Sequence, residues 1–175
     1  MIAKTEALIA KDEAIKQGMM HDLFTRGLGE NGRLRSSFED APELYKESEL
    51  GWIPREWEIA ALDSVASIGG GITLGRKMFG NRVRVLPYVR VANVQDGFLD
   101  LSEIKTVELY EGEVARYLLR KGDILLTEGG GFDKLGRGAV WRGEIDPCAH
   151  QNHIFRVTPK EDLFLSDFFG RLYRV

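Results

Sequence analysis

Three side chains near the far end of this 175-residue chain invite a test for metal or nucleophilic chemistry: Cys148, His150 and His153. A thiol and two imidazoles this close could form half of a zinc site. On an extended strand, however, His150 and His153 face opposite sides, and the remaining histidine, His21, lies far away in sequence. The expectation is therefore no metal site. Cys148 beside His150 could also act as nucleophile and base, but no neighbouring group visibly activates the thiol.

The glycine runs suggest phosphate binding next. Gly70 and Gly75 have the spacing of a nucleotide-binding loop, but Arg76 stands where that loop needs lysine, and no Ser or Thr follows to hold magnesium. Gly131 and Gly136 fail in the same way, with Arg137 and Gly138 next. There is no Gly-x-Ser-x-Gly elbow, no pair of adjacent prolines and no Pro-Asp step. No cofactor and no catalytic residue is expected.

Polar and basic groups on glycine-rich segments remain. Arg90, Asn93 and Gln95 can be presented from one extended segment, and these are the side-chain types that bond guanine and adenine edges in pairs. The stretch from Thr127 to Gly138 carries Lys134 and Arg137 on a glycine-rich loop whose backbone can approach a phosphodiester closely. Arg76, Lys77, Arg82, Arg84 and Arg90 form a block without any acid, and a block of that kind attracts phosphate. Asp96 to Glu113 answers it with six acids against Lys105. A solvated face paired to that acidic block is the competing reading. The formal charge of −3 excludes a polycation that grips nucleic acid by bulk charge.

The elements that position these groups read as follows. Leu8, Ile15, Met19 and Leu23 fall on one stripe of an amphipathic helix spanning residues 1–28, with Gly27 and Gly29 as its stop. Such a helix cannot hide its own stripe and must dock elsewhere. Residues 29–50 hold six acids and no sustained period, which predicts an acidic linker. Trp52 and Trp57, around Gly51 and Pro54, predict a rigid turn with buried indoles at a domain entrance.

Beyond them, strands are expected over Val83–Val91, Ile124–Thr127, Ala139–Arg142 and His150–Val157. A turn is expected at Asp96-Gly97, a short helix over Glu111–Leu119 and a last helix from Ser166. The class is α+β, with many short β-strands and glycine-rich loops. One cysteine excludes a disulfide framework, and no apolar run is long enough for a membrane span, so a cytoplasmic protein without membrane contact is expected.

In order, Lys16-Gln-Gly-Met-Met-His-Asp-Leu-Phe-Thr-Arg-Gly27, Leu50-Gly-Trp-Ile-Pro-Arg-Glu-Trp57, Tyr88-Val-Arg-Val-Ala-Asn-Val-Gln-Asp-Gly97, Lys121-Gly-Asp-Ile-Leu-Leu-Thr-Glu128 and Gly136-Arg-Gly-Ala-Val-Trp141, leading to His150-Gln-Asn-His-Ile-Phe155, resemble the specificity (S) subunit of type I restriction–modification systems. The resemblance implies that residues 1–28 are the end of a coiled-coil-type spacer helix and 51–175 most of one target recognition domain, truncated before its later part. It further implies double-stranded DNA as ligand, methyltransferase subunits as partners and a motor/nuclease subunit in the full complex. Self-association through the helix is a further expectation.

On that resemblance the subunit directs its partners to a bipartite site and catalyses nothing itself. Arg90, Asn93, Lys134 and Arg137 are then expected to face DNA, with Arg76 and Lys77 on phosphates. Two other readings stay open. One is an interaction fragment that only docks on a methyltransferase or dimerises; the other is a small enzyme built on Cys148 and His150.

Overall fold

The structure is a computed structural model and describes residues 2–79, 82–128 and 137–160. The chain divides into two compact units, Met1–Ile59 and Ala60–Val175.

The first unit opens with helix α1, Ile2–Thr25, as the apolar stripe predicts. It stops because Gly27 turns into the left-handed region at φ +62, which side chains disfavour, and its N–H bonds back to the Asp22 carbonyl at 3.2 Å. The same position must be bare for a second reason. A Cβ there would sit 2.6 Å from Cζ2 of Trp57. Arg26 and Arg35 secure the exit reciprocally: Arg26 Nε donates to the Arg35 carbonyl at 2.7 Å, and Arg35 Nη1 to the Arg26 carbonyl at 2.9 Å. Arg35 also pairs with Glu56.

Residues 29–50 are more ordered than a linker. A 3-10 turn over Pro42–Leu44 leads into strand β1, Tyr45–Ser48, which pairs antiparallel with β2, Gly51–Pro54. The boundary expected between residues 50 and 51 thus falls in the turn of a hairpin. Aromatic contacts hold this region: Phe38 stacks on Trp52 at 4.4 Å and meets Tyr45 edge-on at 5.9 Å. Trp57 is partly buried against Gly27, but Trp52, expected to be buried, is 50% exposed and uses one face only.

The described residues of the second unit form two sheets. In one, the order is β3 (Ala66–Gly70), β9 (Ile154–Pro159), β6 (Ile124–Thr127), β7 (Gly138–Val140), all antiparallel. In the other, β4 (Val83–Val89) lies between β5 (Lys105–Tyr110), antiparallel, and β8 (Ala149–His150), parallel. Among the unit's described residues are also two short helices, α2 (Leu62–Val65) and α3 (Glu111–Tyr117).

Strand β6 is an unbroken apolar run because both its faces are covered. Ile124 packs with Ala66 and Val157, and Leu125 with Val89, Val94, Trp141 and Ile154. A further cluster gathers Ile72, Leu86, Tyr88, Leu109 and Val114.

The strand expected over His150–Val157 is two strands. Between them Gln151 donates its N–H to Val89 and Asn152 to Ile72, so the chain passes from one sheet to the other. The helix over Glu111–Leu119 forms and ends at Tyr117. The helix expected from Ser166 and the second glycine run lie outside the described residues.

Candidate nucleic-acid interface

The first glycine run makes strand β3 and its exit. A Cβ at Gly71 would lie 2.3 Å from the His150 carbonyl oxygen and 2.4 Å from that of Gln151. The glycine is needed for backbone to pass against backbone, and Ile72 N–H bonds the same His150 carbonyl at 2.8 Å.

The basic block that follows is unevenly free. Arg76 is clasped by Glu113 through two bonds of 3.0 Å. This pairing holds the Glu113 carboxyl below its ordinary range and raises the guanidinium. Lys77, beside it, is exposed and forms no ion pair among the described residues. Arg84 reaches Glu111 at 3.5 Å. Much of the block is therefore matched to the acidic stretch, as the competing reading expects.

Arg90 and Asn93 are not on a strand face. Residues Val91–Asn93 form a 3-10 turn, and Asn93 is 3% exposed. Its Oδ1 accepts from Arg90 N–H at 2.8 Å, and its Nδ2 donates to the carbonyls of Asp100 at 2.8 Å and Glu103 at 3.0 Å. The structure thus places the Asn93 amide, expected at a base edge, inside the protein, where its bonds shape the 90–103 loop. Arg90 is similarly engaged, with Nη2 on the Glu103 carbonyl at 2.7 Å and 3.4 Å from its carboxylate. Gln95 bonds the Ala92 carbonyl.

Arg137 directly precedes β7. Its backbone carbonyl accepts from Thr127 N–H at 2.9 Å, and its guanidinium lies 3.5 Å from Asp96. The predicted Asp96-Gly97 turn comes alongside, with Gly97 N–H bonded to the Gly138 carbonyl at 2.9 Å. Phe98, in that turn, is 61% exposed. The structure thus brings Arg137, Asp96 and an uncovered aromatic ring together, while Lys134 lies outside the described residues.

The sequence reading did not single out Phe98, nor Arg120, Lys121 and Arg142. The available signals were an aromatic directly after a turn dipeptide and an Arg-Lys pair before Gly122.

Cys148 and His150 are packed inside the second unit. Cys148 is fully buried, and desolvation pushes its thiol up to about 12. His150 is buried too, its Nδ1 3.0 Å from the Tyr117 carbonyl, and burial lowers its pKa. His153 is exposed and pairs with Glu128 at 3.3 Å. Among the described residues, no three His, Cys, Asp or Glu side chains gather as a metal site. No described helix is long and apolar enough to cross a membrane.

No protein-family model matches the chain. Over 123 residues it is 26% identical to the MjaX specificity subunit of a type I restriction enzyme from Methanocaldococcus jannaschii, covering 69% of this chain and 28% of that protein. It is 31% identical over 114 residues to the MjaVIII specificity subunit of the same organism, covering 64% and 24%. The chain spans about a quarter of the length of these curated relatives.

Among solved structures it is similar to the HsdS subunit from Thermoanaerobacter tengcongensis, with TM-score 0.42, 14% identity, and coverage of 98% of this chain and 40% of that one. A chain from a structure on assembly and conformational transition of the type I R-M system matches with TM-score 0.42 and 15% identity, over 98% of this chain and 40% of that one. The resemblance read from the ordered segments is met again as sequence similarity to two type I specificity subunits.

Proposed function

We propose that this chain, as part of a type I specificity subunit, recognises one half of a bipartite DNA site in the cytoplasm and carries partner subunits to it. The alignment with two specificity subunits over more than a hundred residues carries this reading. The chain performs no chemistry in it. Methyltransferase subunits modify the DNA, and a motor/nuclease subunit joins them in the whole complex.

Two features support the division of labour. The uncovered stripe of α1, with Leu8 57%, Ile15 49% and Met19 60% exposed, is what an arm awaiting a partner helix presents. The second unit offers Arg137 and Phe98, with Lys134 three residues before Arg137 in the sequence for base or backbone contact and Lys77 next to Arg76 for phosphates. Arg90 and Asn93 act in this scheme by holding the neighbouring loop in shape.

Selection from a random duplex pool, with and without the methyltransferase subunit, tests the proposal. A short enriched motif is expected. Retention of the methyltransferase with no enrichment would instead mark an interaction fragment that docks without reading DNA. Within the motif, Arg137→Ala should relax one base position at a cost of about 1–3 kcal/mol. Unchanged affinity and preference in that variant would remove Arg137 from the interface.

A further inference from the structure

Within the acid-free block, Lys77 and Arg82 are exposed without an ion pair among the described residues, but the other arginines are already matched. Arg76, Arg84, Arg90 and Arg137 each face a carboxylate: Glu113, Glu111, Glu103 and Asp96. Arg120, Lys121 and Arg142 are exposed, and none of the three side chains has an ion pair or hydrogen bond among the described residues. Two chain segments gather them. Gly122 N–H bonds the Trp141 carbonyl and Trp141 N–H the Asp123 carbonyl, both at 2.8 Å, which sets residues 120–123 against 141–143. A Cβ at Gly143 would lie 3.9 Å from that of Lys121.

Between these segments and α3 opens a cleft of about 520 Å³, lined by the three cations together with Leu118, Leu119 and Trp141. Asp146 is the acid in its lining. The nearby Glu144 carboxylate accepts the Arg142 backbone N–H at 2.9 Å.

We propose that this cleft is a docking site for the phosphodiester backbone of duplex DNA. Three uncompensated cations around one concavity supply the attraction, and their charge is not already neutralised by protein carboxylates as it is for Arg76 or Arg137. The floor argues for backbone rather than base. Trp141 is 1% exposed and Leu119 6%, so no ring face is open for a base to stack on, and the apolar floor suits a sugar edge between phosphates. The three side chains anchor the duplex without informing on its sequence. The inference rests on the DNA-binding reading above and adds to it a strip that positions the duplex while other residues read it.

The test is a salt titration of duplex binding by the full chain and by the triple variant Arg120→Ala/Lys121→Ala/Arg142→Ala. The duplex carries the motif enriched by the unaltered chain. Each phosphate contact contributes about 0.9 to the slope of log affinity against log salt, so the variant's slope should be shallower by roughly 2–3. Between about 50 and 200 mM salt, the unaltered chain should then lose about 40-fold more affinity than the variant. The preferred motif should stay the same.

Because the three residues are exposed, the variant should keep its thermal unfolding midpoint. Arg120→Lys/Arg142→Lys, which preserves charge, should keep most of the slope and controls for a folding defect. If the unaltered chain binds its motif and the triple variant does so with the same slope, the cleft is not a phosphate site although the functional reading stands. Loss of methyltransferase binding with an intact DNA slope would overturn the inference in favour of a protein-docking cleft. No DNA binding by the unaltered chain, with or without the methyltransferase subunit, overturns both.

Discussion

Asn93→Ala separates a structural amide from a base-reading one. Oδ1 faces an N–H and Nδ2 faces two carbonyl oxygens, an environment that accepts the amide in one orientation only. Truncation leaves Arg90 N–H without its acceptor in a part-buried position, at about 1–3 kcal/mol for an unsatisfied donor. The carbonyls of Asp100 and Glu103 belong to exposed residues and regain water, so each adds only the net worth of a bond, about 0.5–1.5 kcal/mol. The total comes to about 4 kcal/mol. With a urea dependence of about 2 kcal/mol per molar, the unfolding midpoint should fall by about 2 M.

Urea unfolding followed by tryptophan fluorescence reads this, since Trp141 is buried in the same unit. Asn93→Asp keeps the acceptor but cannot donate to the two carbonyls, and should also destabilise. A midpoint within about 0.2 M of the unaltered chain, together with an altered DNA preference, would refute the reasoning and return Asn93 to the interface.

Three further outcomes follow from buried groups. Gly71→Ala should destabilise by more than the 1–3 kcal/mol usual for overpacking, because its Cβ meets two backbone oxygens rather than a yielding side chain; a thermal melt measures it. Cys148 should resist alkylation at pH 8 in the folded protein and react once urea unfolds it, since its thiol is buried and pushed up to about 12; fast labelling of the native state would revive the reading of a reactive thiol. His150 is held neutral by burial, so the unfolded chain binds the proton more readily. Stability should be fully present above the unfolded value of about 6.5 and fall as pH drops from there towards the depressed folded value, a slope that His150→Gln should lack in urea titrations at several pH values.

Local pattern carried the elements whose signal is local. The stripe of Leu8, Ile15, Met19 and Leu23 marks α1, and Gly27 ends it within three residues of the expected place. Strand β6, the Asp96-Gly97 turn and α3 were equally plain. What escaped depends on partners distant in sequence. Phe38 stacking on Trp52 orders a stretch whose composition reads as a linker. The His150–Val157 run breaks because two sheets compete for its backbone, which no periodicity records.

The internal bonding of Asn93 was illegible for the same reason. An amide's chemistry is visible in the sequence, but whether Asp100 and Glu103 have already used it is not. Conversely, Arg120, Lys121 and Arg142 become notable only when the fold shows that other arginines are matched by carboxylates.

The most direct measurement is the affinity of the full chain, with the proposed methyltransferase partner, for the selected duplex and for a scrambled duplex of equal length at one salt concentration. A subunit that reads sequence should favour the selected duplex by about a thousandfold or more. Equal affinities would show that the chain grips DNA or its partner without recognising a site, and would contradict the proposed function.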